Sequence, residues 1–166
     1  MKYLLSTLTL FCFITHAYAH MPPAVGVENK HLINVPVMAM HEKPVLDSPF
    51  VSEGLYGHTA YVIEQENQGW ALIETEDGAK GYAQLDQLIP DNPLFRISKN
   101  LVKIVVENIQ LYSKVDLQKP CLATLPHGAY LQLTEVNNSK AIQVQLLDGS
   151  KAWIKRSCIE PLTYDT

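Results

Sequence analysis

The chain has 166 residues, with 13 basic and 17 acidic side chains that give a net charge of −4. This acidic balance excludes binding that is driven by contacts to nucleic-acid phosphates, so no nucleic-acid partner is expected.

The chain starts with a pattern typical of a secretory leader. An apolar stretch from Tyr3 to Ile14 is followed by Ala17-Tyr18-Ala19, the small-x-small pattern of a signal-peptidase site. We predict a signal peptide over residues 1–19, cleavage before His20, and export to the periplasm or the extracellular space. An apolar run of about a dozen residues is too short to span a bilayer, so no stable membrane insertion is expected after cleavage. Lipid anchoring at Cys12 is the alternative, although the small residues of a lipoprotein signal do not precede it.

Two later segments repeat each other without a gap at an offset of 71 residues. The matched pairs are Pro49 and Pro120, Gly57 and Gly128, Asp77-Gly78 and Asp148-Gly149, Tyr82 and Trp153, Leu88 and Ile159, and Pro90 and Pro161. Structure breakers, a turn dipeptide and an aromatic residue in one register indicate a duplicated unit. We place an N-terminal extension at 20–33, the first unit at 34–90, a linker at 91–102, the second unit at 103–161 and a tail at 162–166.

Each unit shows short β-rich runs separated by breakers, which predicts an all-β fold of two tandem small barrels. In the first unit the predicted strands are Val35–Met40, Phe50–Leu55, His58–Glu64, Trp70–Thr75, Lys80–Ala83 and Leu88–Ile89. In the second unit they are Lys103–Leu111, Leu122–Leu125, Ala129–Val136, Ala141–Leu146, Lys151–Ile154 and Ile159. Long loops are expected at His41–Pro49 and Tyr112–Pro120.

Glycines mark the turns between these strands. Asp77-Gly78 and Asp148-Gly149 each predict a hairpin with a type I′ turn, because glycine reaches positive φ without steric cost. Gly57 and Gly128 mark a second hairpin in each unit. Between the units, Pro90-Asp91-Asn92-Pro93 predicts a short, stiff connection that holds the two units close together.

Charge is divided unevenly between the units. Residues 34–90 contain nine acidic residues against Lys43 and Lys80, a net of −7, whereas residues 103–161 contain seven basic against five acidic residues, a net of +2. The first unit therefore suits a cationic or amine-bearing partner. The alternative is that two solvated surfaces diverged after duplication.

Two cysteines remain after cleavage of the leader, Cys121 and Cys158, both in the second unit. An even pair in an exported protein favours a disulfide, which would stabilise the fold by roughly 4 kcal/mol in the loop-entropy model. The alternative is a catalytic thiol, but neither cysteine has the strand-to-helix setting or the nearby histidine that a nucleophile needs.

The repeated motifs resemble the bacterial SH3-like (SH3b) repeat. The first unit carries them as Leu55-Tyr56-Gly57, Gly69-Trp70, Asp77-Gly78 and Gly81-Tyr82. The second unit keeps Leu125, Gly128, Asp148-Gly149 and Trp153, but has Ala141 in place of Trp70 and Ala152 in place of Gly81.

Tandem SH3b units behind a leader are similar to the N-terminal region of NlpC/P60-type cell-wall peptidases, which cleave peptidoglycan stem peptides. In that family the first SH3b unit can help to select substrates with a free N-terminal amine. This resemblance implies the fold, but it does not imply activity, since the Cys and His pattern of the peptidase is absent from this sequence. We therefore expect no enzymatic activity and no cofactor.

In such barrels the long first loop and the neighbouring hairpins form a ligand groove, where aromatic faces supply contact area. The ligand-binding candidates in the first unit are Tyr56, Trp70, Tyr82, Glu53 and Glu42, with the carboxylates available to meet an ammonium group. In the second unit the aromatic residues Tyr112, Tyr130 and Trp153 remain, but the same site is weakened because Ala141 stands in place of Trp70. The alternative for Trp70, Tyr82 and Trp153 is a structural role over small cores.

Histidines and methionines near the start of the mature chain suit copper outside the cytoplasm. They are His20, Met21, Met38, Met40, His41 and His58. However, Met38 and Met40 alternate on a predicted strand, which core packing alone would produce. We therefore predict no metal site.

Three functional hypotheses follow. The first is an exported, non-catalytic binding protein for peptidoglycan stem peptides or a cell-envelope protein partner. The second is the N-terminal regulatory half of an NlpC/P60-type endopeptidase whose catalytic domain is missing from this chain. The third is a periplasmic inhibitor or immunity protein that acts through the acidic first unit.

Overall fold

A computed structural model describes residues 29–93, 95, 100–117, 121–135 and 140–162. The predicted signal peptide and most of the predicted N-terminal extension and C-terminal tail lie outside these residues. In the described part, the first unit contains β1 (Lys30–Ile33), β2 (Val37–His41), β3 (Phe50–Leu55), β4 (Thr59–Gln65), β5 (Trp70–Thr75), β6 (Lys80–Gln84) and β7 (Leu88–Pro90). The second unit contains β8 (Leu101–Ile104), β9 (Asn108–Tyr112), β10 (Cys121–Pro126), β11 (Tyr130–Glu135), β12 (Ala141–Gln145), β13 (Lys151–Lys155) and β14 (Ile159–Pro161).

The two units have the same topology. The antiparallel sheets run β3-β2-β6-β5-β4-β1-β7 and β10-β9-β13-β12-β11-β8-β14. Each strand of the second unit begins 71 residues after its counterpart in the first. The predicted all-β fold of two small β units is therefore confirmed. In the described part of the chain, no helix has the length and apolar character needed to cross a membrane.

The first strand of each unit begins earlier than the sequence pattern indicates. β1 belongs to the first sheet, where it pairs with both β4 and β7, although residues 30–33 were predicted as part of an extension. The predicted continuous strand Lys103–Leu111 is instead two strands, β8 and β9, separated by residues 105–107. These strands have only four or five residues, and such short runs give little periodicity to detect.

The two Asp-Gly turns form hairpins, but not with the predicted type I′ geometry. Gly78 N donates to Thr75 O at 2.9 Å, and Thr75 N donates to Ala79 O at 3.0 Å. Gly78 has φ +83°, whereas Asp77 is not at positive φ. The connection is therefore a three-residue loop with a type I turn followed by a left-handed glycine. The loop at Gly149 repeats the pattern through Leu146 and Ser150.

Each unit has its own apolar core, built by the alternation of inward and outward side chains along the strands. In β2, Met38 and Met40 are fully buried and pack with Ile33, Val62 and Ile73. The core-packing interpretation of the two methionines is therefore confirmed. The second core has the corresponding members Ile104, Ile109, Leu111, Leu131, Val144 and Ile154.

The two cysteines of the second unit are free thiols, so the predicted disulfide is not formed in this structure. Cys121 is exposed on β10, at one end of the sheet order, and its thiol lies 3.2 Å from Ala123 O. Cys158 is partly buried in the turn before β14, at the other end of that order. The even number of cysteines favours a disulfide, but it does not show whether the fold brings the two thiols into bonding geometry.

Candidate binding cleft between the two units

The two units meet through the turns that precede β4 and β11. Tyr130 N donates to Tyr56 O at 2.9 Å. His58 Nε2 lies 2.9 Å from Gly128 O, and because a carbonyl oxygen only accepts, Nε2 is the donor. The rings of His58 and Tyr130 stack with centroids 4.0 Å apart and planes 17° from parallel. These contacts agree with the expectation of closely held units.

A glycine with positive φ lies on each side of this contact. Gly57 has φ +80°, and a Cβ atom there would lie 2.6 Å from Tyr130 O. Gly128 has φ +88°, and its Cβ atom would lie 3.0 Å from Leu55 Cδ1. Gly57 therefore also allows the two backbones to approach, whereas Gly128 makes room for the Leu55 side chain.

Tyr56 belongs to the first unit by sequence but packs into the core of the second. Its side chain is 6% exposed and contacts the cluster that contains Ile104, Leu125 and Leu131. Its hydroxyl oxygen accepts a hydrogen bond from Leu147 N at 2.7 Å. Burial raises the pKa of Tyr56 to about 12, and the nearby carboxylate of Asp148 acts in the same direction. Such a ring offers almost no surface to a ligand, so the structure places Tyr56 in the interface and not in a groove.

A cleft of about 470 Å³ opens beside this interface. Its walls come mainly from β3, from the start of β4 and from the β5–β6 hairpin, and Tyr130 of the second unit closes one side. The lining residues are Glu53, Gly54, Leu55, His58, Thr59, Thr75, Glu76, Asp77 and Tyr130. Three carboxylates therefore share a cleft that also has an aromatic wall.

Hydrogen bonds from threonine orient two of these carboxylates. Thr59 Oγ1 donates to Glu76 Oε1 at 2.5 Å, and Thr75 Oγ1 donates to Asp77 Oδ1 at 2.6 Å. The bond from Thr75, followed by that from the Ala79 backbone, lowers the pKa of Asp77. Asp77 is therefore ionised at neutral pH, and the cleft carries negative charge.

The structure separates the predicted ligand residues into two groups. Glu53 lies on the cleft, whereas Trp70, Tyr82 and Glu42 lie near the 42–49 loop. His41 packs edge-on against Trp70 at a centroid distance of 5.6 Å and is the ladder partner of Tyr82. Trp70 is only 6% exposed, which favours the structural alternative for this residue. Whether any of these side chains binds a ligand remains a prediction.

Sequence reasoning missed most of the cleft. Glu76, Thr59 and Thr75 were not candidates, and His58 was considered only as a metal ligand. The acidic Glu76-Asp77 pair beside the turn glycine was a signal, but only the contact between the units brings Tyr130 opposite it. Among the described residues, no group of three or more His, Cys, Asp or Glu side chains could hold a metal ion.

The sequence matches no protein-family profile and no curated protein. The fold of the chain, however, is similar to that of solved structures. A NlpC/P60 family protein from Bacillus cereus superposes with a TM-score of 0.64 at 16% identity, over 79% of this chain and 55% of that one. The fold is shared with that protein.

NlpC2 and NlpC1 from Trichomonas vaginalis also match, each with a TM-score of 0.33 and 11% identity over 82% of this chain. The chain spans about half the length of the matched structures, with 55%, 49% and 47% of each covered.

Proposed function

We propose that this protein is an exported, non-catalytic binding protein that recognises amine-bearing peptides of the peptidoglycan stem-peptide type in the cleft between its units. The observation that carries the proposal is the convergence of Glu53, Glu76 and Asp77 on one cleft. The fold shared with a NlpC/P60 family protein supports a relation to cell-wall peptide chemistry.

The chemistry of the cleft suits a cationic group. An ammonium group donates up to three hydrogen bonds, and carboxylates accept them with the added strength of charge. Glu76 and Asp77 are already oriented by threonine hydroxyls, so less side-chain freedom is lost when a ligand binds. The ring of Tyr130 adds an aromatic surface for the rest of the peptide.

Isothermal titration calorimetry tests the proposal. It compares a soluble stem peptide that has a free N-terminal amine with the N-acetylated form of the same peptide. The free amine should bind, and acetylation should weaken binding about ten-fold or more because it removes the charge. The double substitution Glu53→Gln and Glu76→Gln should have a similar effect, since glutamine keeps the shape and the acceptor oxygen.

Glu64→Gln provides a matched control, because Glu64 is an exposed carboxylate on β4 that does not line the cleft. It should leave the affinity unchanged. Equal binding of the free and acetylated peptides, or equal losses in the control and the double variant, would contradict the proposal.

A second candidate is the substrate-selecting region of an NlpC/P60-type endopeptidase, which the shared fold also favours. In that case the cleft would act together with a catalytic domain. Adding a purified NlpC/P60 catalytic domain should then raise the affinity for the stem peptide, whereas a stand-alone binding protein would show no change.

A further inference from the structure

His58 lies where the acidic cleft meets the contact between the units. Its side chain lines the cleft together with Glu53, Glu76 and Asp77, and its ring stacks on Tyr130 of the second unit. Histidine is the residue type whose charge normally changes between about pH 5 and 8. Among the described residues that line the cleft, His58 is the one histidine. The function proposed above uses the carboxylates of the cleft but assigns no role to this ring.

The hydrogen bond to the second unit determines which ring nitrogen of His58 can gain a proton. Nε2 lies 2.9 Å from the carbonyl oxygen of Gly128 and donates its proton there. In the neutral imidazole the other nitrogen, Nδ1, therefore carries a lone pair and no proton. A proton taken up at Nδ1 charges the ring without breaking the bond to Gly128, so the contact between the units is compatible with both charge states.

A charge on His58 acts on the carboxylates of the cleft. The pKa of Asp77 is lowered first by hydrogen bonds from Thr75 and the Ala79 backbone, and a positive charge on His58 lowers it further. The titratable groups that share the cleft with the ring are Glu53 on β3, Glu76 and Asp77 in the β5–β6 hairpin, and Tyr130 on β11. An imidazolium at this position offsets part of the negative charge that would attract an ammonium ligand.

The duplication shows that the repeated unit does not require a histidine at this position. At the offset of 71 residues, the second unit has Ala129 in place of His58. It also has neutral residues at the positions that match Glu53 and Glu76. The histidine and these two carboxylates therefore occur together in one unit and are replaced together in the other, which favours a shared role in the cleft.

We propose that His58 regulates the amine site of the cleft: when its Nδ1 takes up a proton, the ring places a positive charge among the carboxylates and weakens the binding of an amine-bearing peptide. This inference rests on the function proposed above. With an uncharged ring, the cleft offers its full negative charge to the ligand. Acidification would then release the peptide while the two units stay in contact.

The test compares the wild type with His58→Gln by isothermal titration calorimetry, using the stem peptide with a free N-terminal amine. Glutamine offers an N–H donor to the Gly128 carbonyl but does not titrate. The ratio of the variant's affinity to the wild-type affinity should rise about five-fold or more as the pH falls from about 8 to about 5.5. Because both proteins meet the same ligand, this ratio cancels the titration of the peptide's own amine.

His41→Gln is the matched control. His41 is also a partly buried histidine whose ring donates to a backbone carbonyl, that of Ser48. It pairs with Phe50, at the end of β3 away from Leu55, and it does not line the cleft. This variant should keep the pH dependence of the wild type.

His58→Phe separates the titratable charge from the hydrogen bond. Phenylalanine keeps a flat ring against Tyr130 but has neither the donor to Gly128 nor a proton to gain. Its affinity relative to the wild type should rise with acidification as that of His58→Gln does. A rise for glutamine but not for phenylalanine would contradict a role of the charge.

Proton release gives a readout from the wild type itself. At about pH 6 the binding of the ammonium group should expel protons from the protein, because a bound cation and a charged ring oppose each other. Calorimetry in two buffers with different ionisation enthalpies measures this release, and His58→Gln should lack most of it. Equal proton release by the two proteins, or an affinity ratio that does not change with pH, would overturn the proposal.

Failure of this regulation is distinguishable from failure of the proposed function. If the free and the acetylated peptides bind equally at every pH, the amine site is wrong and the role of His58 falls with it. If the free amine binds more tightly than the acetylated form but the affinity ratio is constant, the amine site is retained and the role of His58 alone is refuted.

Discussion

The buried hydroxyl of Tyr56 makes the stability of the protein sensitive to high pH. The unfolded chain releases this proton near pH 10, whereas the folded protein releases it near 12. Between these values the folded state holds more protons, so the free energy of unfolding falls as the pH rises. A two-unit shift corresponds to about 2.7 kcal/mol, lost progressively as the pH passes from 10 to 12.

Tyr56→Phe isolates this effect, because phenylalanine keeps the ring but does not titrate. At neutral pH the variant should be about 1 kcal/mol less stable, since Leu147 N loses its acceptor. Urea unfolding of both proteins from pH 8 to 11.5 should show this difference shrinking and then reversing. Stability curves that stay parallel over this range would contradict the assignment.

Tyr56 also shows what a sequence can reveal about a single residue. The Leu-Tyr-Gly motif identified it as a conspicuous aromatic residue of the first unit. Its structural role depends on a contact with the second unit, where Leu147, 91 residues further along the chain, donates a hydrogen bond to its hydroxyl. No local pattern reports such a contact, and a ligand-binding aromatic looks the same in sequence as one that packs in an interface.

Among the elements, the turn glycines fall into two groups. Some are needed only for their positive φ, and others are also needed because a Cβ atom would clash with a neighbouring residue. Gly57 and Gly78 have nearly equal φ values, +80° and +83°. A Cβ atom at Gly57 would strike the Tyr130 backbone, whereas one at Gly78 would meet nothing within 4 Å.

Gly78→Ala should therefore lower the free energy of unfolding by about 1 to 2 kcal/mol, the cost of a left-handed alanine. Gly57→Ala should cost clearly more, because the two units must also move apart at Tyr130. Chemical denaturation of the two variants measures the difference. Similar losses in the free energy of unfolding for both variants would show that the close approach at Gly57 does not contribute to stability.

Strand prediction succeeded where the runs were long and the turns were marked by glycine. The β-rich runs and their shared offset located β3 and its counterpart β10, and also β5 and its counterpart β12. β1 and β8 were misplaced because a four-residue strand becomes recognisable only through its partners, here β4 and β7 for β1. The predicted turn type was wrong because the Asp-Gly sequence is compatible with both a two-residue and a three-residue hairpin loop.

For the whole molecule, the contact between the units predicts cooperative unfolding. Each unit has about 60 residues, a size at which a core alone gives only marginal stability. A separate buried cluster of Leu32, Phe95 and Leu101 adds to the Tyr56 contact. We expect the wild type to unfold in a single thermal transition.

Tyr56→Ala should break this cooperativity and remove about 3 to 5 kcal/mol, as do other truncations of large buried rings. Calorimetry should then show two transitions, with the second unit unfolding first because its core has lost a member. Tyr82→Ala is the control, since Tyr82 is only partly buried and belongs to the first unit. A single, unshifted transition for Tyr56→Ala would exclude coupling through this ring.

The duplication and the stiff Pro90–Pro93 connection were enough to predict two closely held units. They could not predict which faces meet, because repeat symmetry gives both copies the same set of surfaces. The contact departs from that symmetry, and the cleft depends on the contact. The acidic side of the cleft was therefore visible in the charge count, whereas its location was not.

That asymmetry limits how the architecture can grow. The counterpart of Tyr56 in the second unit is His127, an exposed side chain where the first copy has a phenol. A third copy attached in the same orientation would receive an imidazole in its core, without a large apolar ring to fill the space. The contact that joins the first unit to the second therefore cannot be repeated unchanged at the second unit, because the ring that enters the neighbouring core is missing there.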